Sequence, residues 1–147
     1  LCKEPNNFQL SFDITDETND IYIMANCSGI NKVRIYIDNE EKNYERLQNQ
    51  TYHVGHLVKG QKVTVEYCFR DTQANTGTAR LIVADMNWES FLQAYDILQS
   101  QQLLIGKMED GYVYCYISPT SVLPAAFHPA STVYSHPMSL PDSGYCR

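Results

Sequence analysis

Alternating apolar and polar positions dominate the chain up to about residue 85. In FQLSFDI, the side chains of Phe8, Leu10, Phe12 and Ile14 fall on one face and polar side chains fall on the other, which is the period-2 pattern of a half-buried strand. Strand character recurs in IYIMANC, KVRIYID, TYHVGHL, QKVTVEYCF and TARLIVADM, between turn-forming segments such as DITDETND and DNEEKN. Short strands at spacings of about 8 to 15 residues favour an antiparallel β-sandwich or jelly roll over a parallel sheet.

One later segment has the period of a helix. Its apolar side chains recur at the i, i+3, i+4, i+7 and i+10 spacing of a single helix face: Trp88, Phe91, Leu92, Tyr95 and Leu98. Asn87 can cap the helix, and Glu89 in the first turn complements the helix dipole. A helix of about 13 residues is marginal when left alone in water. We therefore predict a structural helix from Trp88 to Ser100 whose apolar face is buried against a sheet, across its edge or between two sheets.

The segment after the helix predicts a β-hairpin. LLIGKMEDGYVYCYI reads as two short strands joined at Glu109–Gly111, because Asp-Gly supplies the positive φ that such a turn uses. From residue 118 onward the chain holds five of its six prolines and shows no sustained period, which is typical of irregular structure.

These patterns predict a mainly β protein with one helix (α+β). An antiparallel jelly-roll-like β-sandwich covers residues 5–85. The packed amphipathic helix and the short hairpin cover residues 86–117 and begin a second small β unit, and residues 118–147 form a Pro-rich irregular tail.

Composition and charge exclude several classes of function. The 147 residues carry a net charge of −6 and no cluster of basic residues, so nucleic acid is not an expected partner. No uncharged apolar run approaches the ~18 residues of a membrane span, and we expect this piece to be soluble by itself. Leu1 is not an initiator Met and no signal-peptide pattern follows it, so the chain resembles an excised segment of something longer.

The sequence predicts no metal site, no cofactor and no catalytic residue. The five cysteines form no C-x-x-C pair, which argues against a zinc knuckle or dithiol redox motif and leaves their pairing open. His53 and His56 would need further converging ligands to hold zinc. DITDETND lacks the Gly and Glu that an EF-hand requires at its sixth and twelfth positions, which leaves open a loop calcium of the kind that some jelly rolls hold. No nucleophile-elbow, phosphate-loop or kinase pattern occurs.

The chain holds eleven tyrosines, and aromatic faces can stack on sugar rings while the phenol bonds their hydroxyls. Tyr112, Tyr114 and Tyr116 share one face of the second hairpin strand. They are the best candidate for a glycan-stacking surface. The competing interpretation is that this face packs against the Trp88 helix, as buried aromatic side chains commonly do.

Three stretches in this order resemble the soluble extracytoplasmic region of the YfhO family of bacterial membrane proteins: KVRIYIDNE, HVGHLVKGQKVTVEY and LIVADMNWESFLQAYDILQSQQLLIGKMEDGYVYCYI. The middle stretch resembles the family motif lG-x-l-x-x-G-d-x-v-x-v, and the residues that match it are Gly55, Leu57, Gly60, Val63 and Val65. Residues that match the helix and its exit are Phe91, Ala94, Tyr95, Leu98, Leu103 and Ile105. Two departures are that Cys115 stands where the family usually has Gly, and that the family's continuation is missing after Ile117.

The resemblance implies a polytopic, membrane-embedded glycosyltransferase that adds sugars to lipoteichoic acid or another cell-wall polymer from a lipid-linked donor. Its catalytic acidic residue is expected near the first membrane spans, outside this chain. The chain itself is then a non-catalytic accessory module at the extracellular face of the bacterial membrane. Its expected partners are the rest of its own membrane-spanning chain and a glycan or teichoic-acid polymer.

Three alternatives remain open. A free-standing carbohydrate-binding module would bind oligosaccharide through its aromatic side chains, whereas a purely structural spacer would bind none. A hydrolase would need two acidic side chains facing each other across a cleft. Motifs that reflect the fold do not determine function, so the choice among these alternatives depends on the chemistry of the binding site.

Overall fold

The computed structural model describes residues 7–27, 30–69, 79–100, 112–117 and 142–145, the last two segments as backbone only. This part of the chain contains ten strands, one helix and a 3-10 turn at Gln48–Gln50. In chain order the strands and the helix are β1 (Phe8–Asp13), β2 (Ile21–Asn26), β3 (Ile30–Ile37), β4 (Glu40–Lys42), β5 (Arg46–Leu47), β6 (Thr51–Gly55), β7 (Lys62–Phe69), β8 (Ala79–Asp85), α1 (Trp88–Ser100), β9 (Tyr112–Ile117) and β10 (Asp142–Tyr145).

The strands form two five-stranded sheets. The strand order is β10-β1-β7-β3-β4 in sheet 1 and β5-β6-β2-β8-β9 in sheet 2. Neighbouring strands are antiparallel, except that β9 runs parallel to β8. The prediction of a mainly β protein with one helix is confirmed.

One buried cluster draws its side chains from both sheets. Sheet 1 contributes alternate positions of β1, β3 and β7, and sheet 2 contributes alternate positions of β2 and β8. The most deeply buried members, none more than 2% exposed, are Leu10, Phe12, Ile35, Val63, Val65, Tyr67, Ile21, Ile23, Ala25, Leu81 and Val83. Burying a large apolar side chain stabilises the fold by about 1.5–3 kcal/mol, so this cluster is the main source of cohesion between the sheets.

The helix covers the opposite face of sheet 2. Tyr22 and Met24 alternate along β2 with the residues of the first cluster, and they join a second buried cluster that includes Phe91 of α1. The other buried members are Ile82, Ala84 and Met86, and the half-buried Leu47, Trp88 and Tyr95 pack against them. The helix therefore lies on a sheet face, over β2 and β8.

The turn between β3 and β4 is shorter than the polar segment DNEEKN suggests. Asp38 and Asn39 have positive φ values of 51° and 68°, the backbone of a two-residue hairpin turn, which Asn and Asp tolerate. The following residues, Glu40–Lys42, form an exposed edge strand paired with Ile35–Ile37. A charged edge of this kind discourages pairing with another chain.

The C-terminal strands join the two sheets already described. Within residues 86–117, which the sequence predicts to begin a second small β unit, β9 is hydrogen-bonded to β8 as the edge strand of sheet 2. The predicted division of the chain into domains stays a prediction. Within the segment predicted to be irregular, residues 142–145 pair with β1. The predicted hairpin turn and its first strand, residues 103–111, lie outside the described residues.

Candidate functional site

The tyrosines predicted to stack on glycan lie in β9. In register, Tyr112, Tyr114 and Tyr116 are partners of Ala79, Leu81 and Val83, respectively. Their side chains are outside the description of the structure, so the glycan-stacking surface stays a prediction.

The predicted helix face supplies three aromatic rings to one row. Phe91 is 1% exposed, and its ring centroid lies 5.4 Å from that of Trp88 and 6.2 Å from that of Tyr95. Leu92 is half-buried, and the side chain of Leu98 is not among those described. Asn87 caps the helix as its sequence position suggests, because its Oδ1 accepts a 2.8 Å hydrogen bond from the backbone N–H of Ser90.

This aromatic row continues across sheet 2 to a histidine. The β2–β6 register places His53 beside Tyr22, and the two rings are stacked with centroids 4.4 Å apart and an interplanar angle of 15°. On its helix side, the Tyr22 ring lies 5.3 Å from the ring of Trp88. His53, Tyr22 and Trp88 thus form a continuous surface, which we call the aromatic shelf.

A carboxylate lies at the exposed end of the aromatic shelf. His53 Nε2 donates a 2.7 Å hydrogen bond to Asp20 Oδ1, and the two side chains are 44% and 39% exposed. With Nε2 donating, neutral His53 keeps Nδ1 as an acceptor. Among the described residues, neither His53 Nδ1 nor Asp20 Oδ2 has a hydrogen-bond partner. The pair therefore presents two acceptor atoms to solvent.

A second, buried carboxylate fixes the backbone that carries Asp20. Asp85, at the end of β8, is only 5% exposed. Its Oδ1 accepts backbone N–H bonds of 2.7 Å from Asp20 and 3.0 Å from Asn19. Hydrogen bonds to an ionised carboxylate are stronger than neutral ones, so Asp85 holds the residues before β2 in position.

A threonine two residues before Asp20 also anchors the segment between β1 and β2. Thr18 Oγ1 donates to the carbonyl of Leu57 at 2.9 Å and accepts from the Leu57 N–H at 2.7 Å. His56 Nδ1 bonds the Thr18 carbonyl at 2.7 Å, and its Nε2 lies 3.6 Å from Glu17 Oε1. His53 and His56 therefore have separate partners, and the described residues contain no group of three or more His, Cys, Asp or Glu side chains able to hold a metal ion.

A buried polar cluster on sheet 1 escaped the sequence reasoning. Glu66 is 1% exposed and accepts hydrogen bonds from Tyr36 Oη at 2.7 Å and Asn7 Nδ2 at 2.6 Å. An Arg34 guanidinium nitrogen lies 3.8 Å from Glu66 and 3.1 Å from Cys68 Sγ. Glu66 was missed because it lies on the strand face that the alternating pattern predicts to be exposed. The only signal in the sequence was that Glu66 shares this face with Thr64 and Cys68.

This cluster raises the pKa values of two side chains. Burial and the hydrogen bond to Glu66 raise the pKa of Tyr36, and burial together with the nearby Glu66 carboxylate raises the pKa of the Cys68 thiol. Both groups are therefore held in their neutral forms. A buried acid whose oxygens accept from a phenol and an amide is arranged for stability, since its hydrogen-bonding capacity is already engaged.

A small cleft lies beside this cluster, between the β3–β4 hairpin and β6. Its volume is about 80 Å³, well below the roughly 300–1,000 Å³ of pockets that enclose a small-molecule ligand. The residues that line it are Val33, Arg34, Ile35, Glu41, Lys42, Asn43, Tyr44 and Tyr52. The aromatic shelf with its exposed carboxylate–imidazole pair is the better candidate site.

Two further findings bear on the surroundings of the site. In the described part of the chain, α1 is too short and too polar to span a lipid bilayer, and no other helix there could do so. The chain matches no protein-family model, and neither a curated protein nor a solved structure matches it.

Proposed function

We propose that this chain is an extracytoplasmic accessory module of a membrane-embedded, YfhO-type glycosyltransferase, and that it positions a glycan or glycosylated cell-wall polymer without catalysing the transfer itself. The observation that supports the proposal is that the motif residues whose side chains the structure describes occupy positions where the fold requires those residue types. The module is tethered through the rest of its own chain at the outer face of the bacterial membrane.

Two glycines of the motif serve backbone conformations that other residues rarely adopt. Gly55, at the end of β6, has a φ of +90°, and Gly60, in the turn before β7, has a φ of +97°. A Cβ at either position would meet nothing within 4 Å. The requirement for glycine is therefore conformational and not steric crowding.

The apolar residues of the motif are buried. Leu57 is 4% exposed, and Val63 and Val65 are 0% exposed within the cluster shared by both sheets. Phe91 of the helix motif is 1% exposed and Tyr95 packs beside it. The spacing of the motif thus agrees with the order of structural elements along the chain: strand, glycine turn, strand, and helix on the sheet face.

The proposed architecture is a β-sandwich of the jelly-roll type. Two five-stranded, largely antiparallel sheets contribute inward-facing side chains to one cluster, which is how sandwiches form their cores. The helix adds a third layer on sheet 2. We assign the buried side of this layer, with Phe91 at its centre, a structural role.

The charge of the module favours a sugar over the polymer backbone as its ligand. The net charge is −6, and like charges repel in a way that slows and weakens association with a polyanion. A phosphate-containing polymer is therefore best recognised through its neutral sugar substituents.

Isothermal titration calorimetry tests the proposal. The purified chain should bind glycosylated lipoteichoic acid saturably, with a Kd of about 1 mM as expected for weak contacts. It should not bind the same polymer after its sugars have been removed. An absence of heat at sugar concentrations of about 10 mM, which is well above that Kd, would favour a structural spacer instead.

A separate observation distinguishes the tethered module from a free-standing carbohydrate-binding module. The full gene product should contain many apolar spans of about 20 residues each on the N-terminal side of this chain. A short secreted open reading frame would contradict the membrane-tethered proposal, even if the chain bound sugar.

A further inference from the structure

The exposed acceptors at the end of the aromatic shelf have the geometry of a ligand subsite. Asp20 Oδ2 and His53 Nδ1 have no hydrogen-bond partner among the described residues, and both side chains are well exposed. The adjoining Trp88 is half-buried, and its ring lies against Tyr22. The ring of Tyr22, which contacts both His53 and Trp88, therefore links the pair of acceptors to the indole.

The pair is held in place before any ligand arrives. Stacking on Tyr22 fixes the plane of the His53 ring, and the buried Asp85 carboxylate fixes the backbone N–H of Asp20. A site whose side chains are already ordered loses less conformational entropy on binding. An ordinary exposed histidine–carboxylate pair has no such support on both sides.

These features select a neutral, hydroxyl-rich ring as the ligand. Hydroxyl groups can donate hydrogen bonds to the Asp20 carboxylate and to His53 Nδ1, while the apolar C–H face of a pyranose can lie on an aromatic ring. Two exposed acidic residues adjoin the site through the backbone: Glu45, whose carbonyl accepts from the His53 N–H, and Glu89, which follows Trp88 in the chain. A phosphate group would be repelled by these charges.

We propose that Asp20, His53 and Trp88 form a pyranose-binding subsite, in which Asp20 and His53 bind ring hydroxyls and the indole of Trp88 contacts the C–H face of the sugar. This inference rests on the proposed function, because it names the chemical part of the polymer that the module holds. It places recognition at the junction of the β1–β2 connection, β6 and the start of α1.

The fluorescence of Trp88 provides the test, because it is the only tryptophan in the chain. Methyl glucoside, methyl galactoside and N-acetylglucosamine are titrated separately to about 50 mM, a range chosen for millimolar dissociation constants. At least one should change the emission of Trp88 saturably and protect it from quenching by acrylamide. Glycerol 3-phosphate, a probe for the polymer backbone, should do neither.

Substitutions in the neighbouring Glu17–His56 pair supply the matched control. Asp20→Asn and His53→Asn should each weaken binding of the responsive sugar about tenfold. Asp20→Asn removes a charged acceptor, and His53→Asn removes an acceptor that is held in a fixed position. Glu17→Gln and His56→Asn make the corresponding carboxylate-to-amide and imidazole-to-amide changes in the neighbouring pair, which makes no ring contact with the aromatic shelf among the described residues. These two variants should bind as the unchanged protein does.

The outcomes separate the inference from the function on which it rests. Equal sugar binding by Asp20→Asn, His53→Asn and the two control variants overturns the subsite, while glycosylated lipoteichoic acid can still bind elsewhere on the module. If no pyranoside perturbs Trp88 yet the glycosylated polymer binds in calorimetry, the subsite is likewise wrong and the proposed function stands. If neither binds, both are wrong. Thermal unfolding of each variant confirms that the comparison is made between folded proteins.

Discussion

The hydroxyl of Tyr67 in sheet 1 donates a 2.7 Å hydrogen bond to the backbone carbonyl of Arg80 in sheet 2. Tyr67 is 0% exposed and lies in the cluster to which both sheets contribute. The cluster shared by the two sheets is otherwise made of apolar contacts, which are not directional. This bond ties a particular point of β7 to a particular point of β8.

Tyr67→Phe should lower the free energy of unfolding by about 1–3 kcal/mol, because it removes one hydrogen bond and leaves a carbonyl of Arg80 without that donor. The ring itself is kept, so the packing of the cluster changes little. Urea unfolding followed by circular dichroism measures the effect.

Tyr52→Phe is the matched control for this change. Tyr52 is half-buried and packs against the same cluster, but its hydroxyl has no hydrogen-bond partner among the described residues. The control should alter stability by less than about 0.5 kcal/mol. Equal losses in the two variants would show that the Tyr67–Arg80 bond contributes nothing of its own.

The position of α1 on sheet 2 predicts a large effect at Phe91. Phe91→Ala should cost about 3–5 kcal/mol, the usual range when a buried phenylalanine is truncated in a packed core. Gln93→Ala, on the exposed side of the same helix, should change stability by less than about 0.5 kcal/mol. A small effect at Phe91 in urea unfolding would mean that the helix is not anchored to the sheet through this side chain.

Local patterns predicted the features that depend on local geometry. The alternation in FQLSFDI placed Phe8, Leu10 and Phe12 on one face, and these side chains are buried together. Mainly β structure with one helix followed from the change of hydrophobic period, since period 2 and period 3.6 put side chains on different surfaces. These inferences needed no knowledge of which strand lies beside which.

Features that depend on distant pairing could not be predicted in the same way. His53 and Asp20 are 33 positions apart, and β1 pairs with β10 from the far end of the chain. Register across strands is set by the whole sheet and not by the composition of one segment. For the same reason, the burial of Glu66 depends on the distant Asn7 and Tyr36.

Stability should fall at alkaline pH because several acidic groups are held neutral in the folded state. Burial raises the pKa of Tyr67 well above its ordinary value of 10.0, and burial and Glu66 raise the pKa of Cys68 above 9.0. At pH values between the ordinary and the raised pKa values of these groups, the unfolded chain binds fewer protons than the folded chain. The free energy of unfolding therefore decreases as pH rises. The stabilisation that these neutral groups provide is fully present at pH values below their ordinary pKa values.

Urea unfolding at a series of pH values from about 8 to 11 checks this sign, since the ordinary Cys and Tyr pKa values lie in that interval. The free energy of unfolding should decline from about pH 9 upward. Tyr67→Phe should show a shallower decline, because one of the groups that titrate only on unfolding is gone. A constant free energy of unfolding across the interval would contradict the assignment.

The link between Asp85 and Asp20 can be broken selectively. Asp85→Ala should destabilise the protein by about 1–3 kcal/mol, because the backbone N–H groups of Asn19 and Asp20 lose their buried acceptor. Asp85→Asn keeps one acceptor oxygen and should cost less than the alanine variant. Hydrogen exchange at the Asn19 and Asp20 amides should accelerate in Asp85→Ala, whereas exchange at Leu57, whose N–H is bonded to Thr18 Oγ1, should change less. Uniform acceleration at all three amides would instead show that Asp85 stabilises the whole fold and does not specifically hold the connection that carries Asp20.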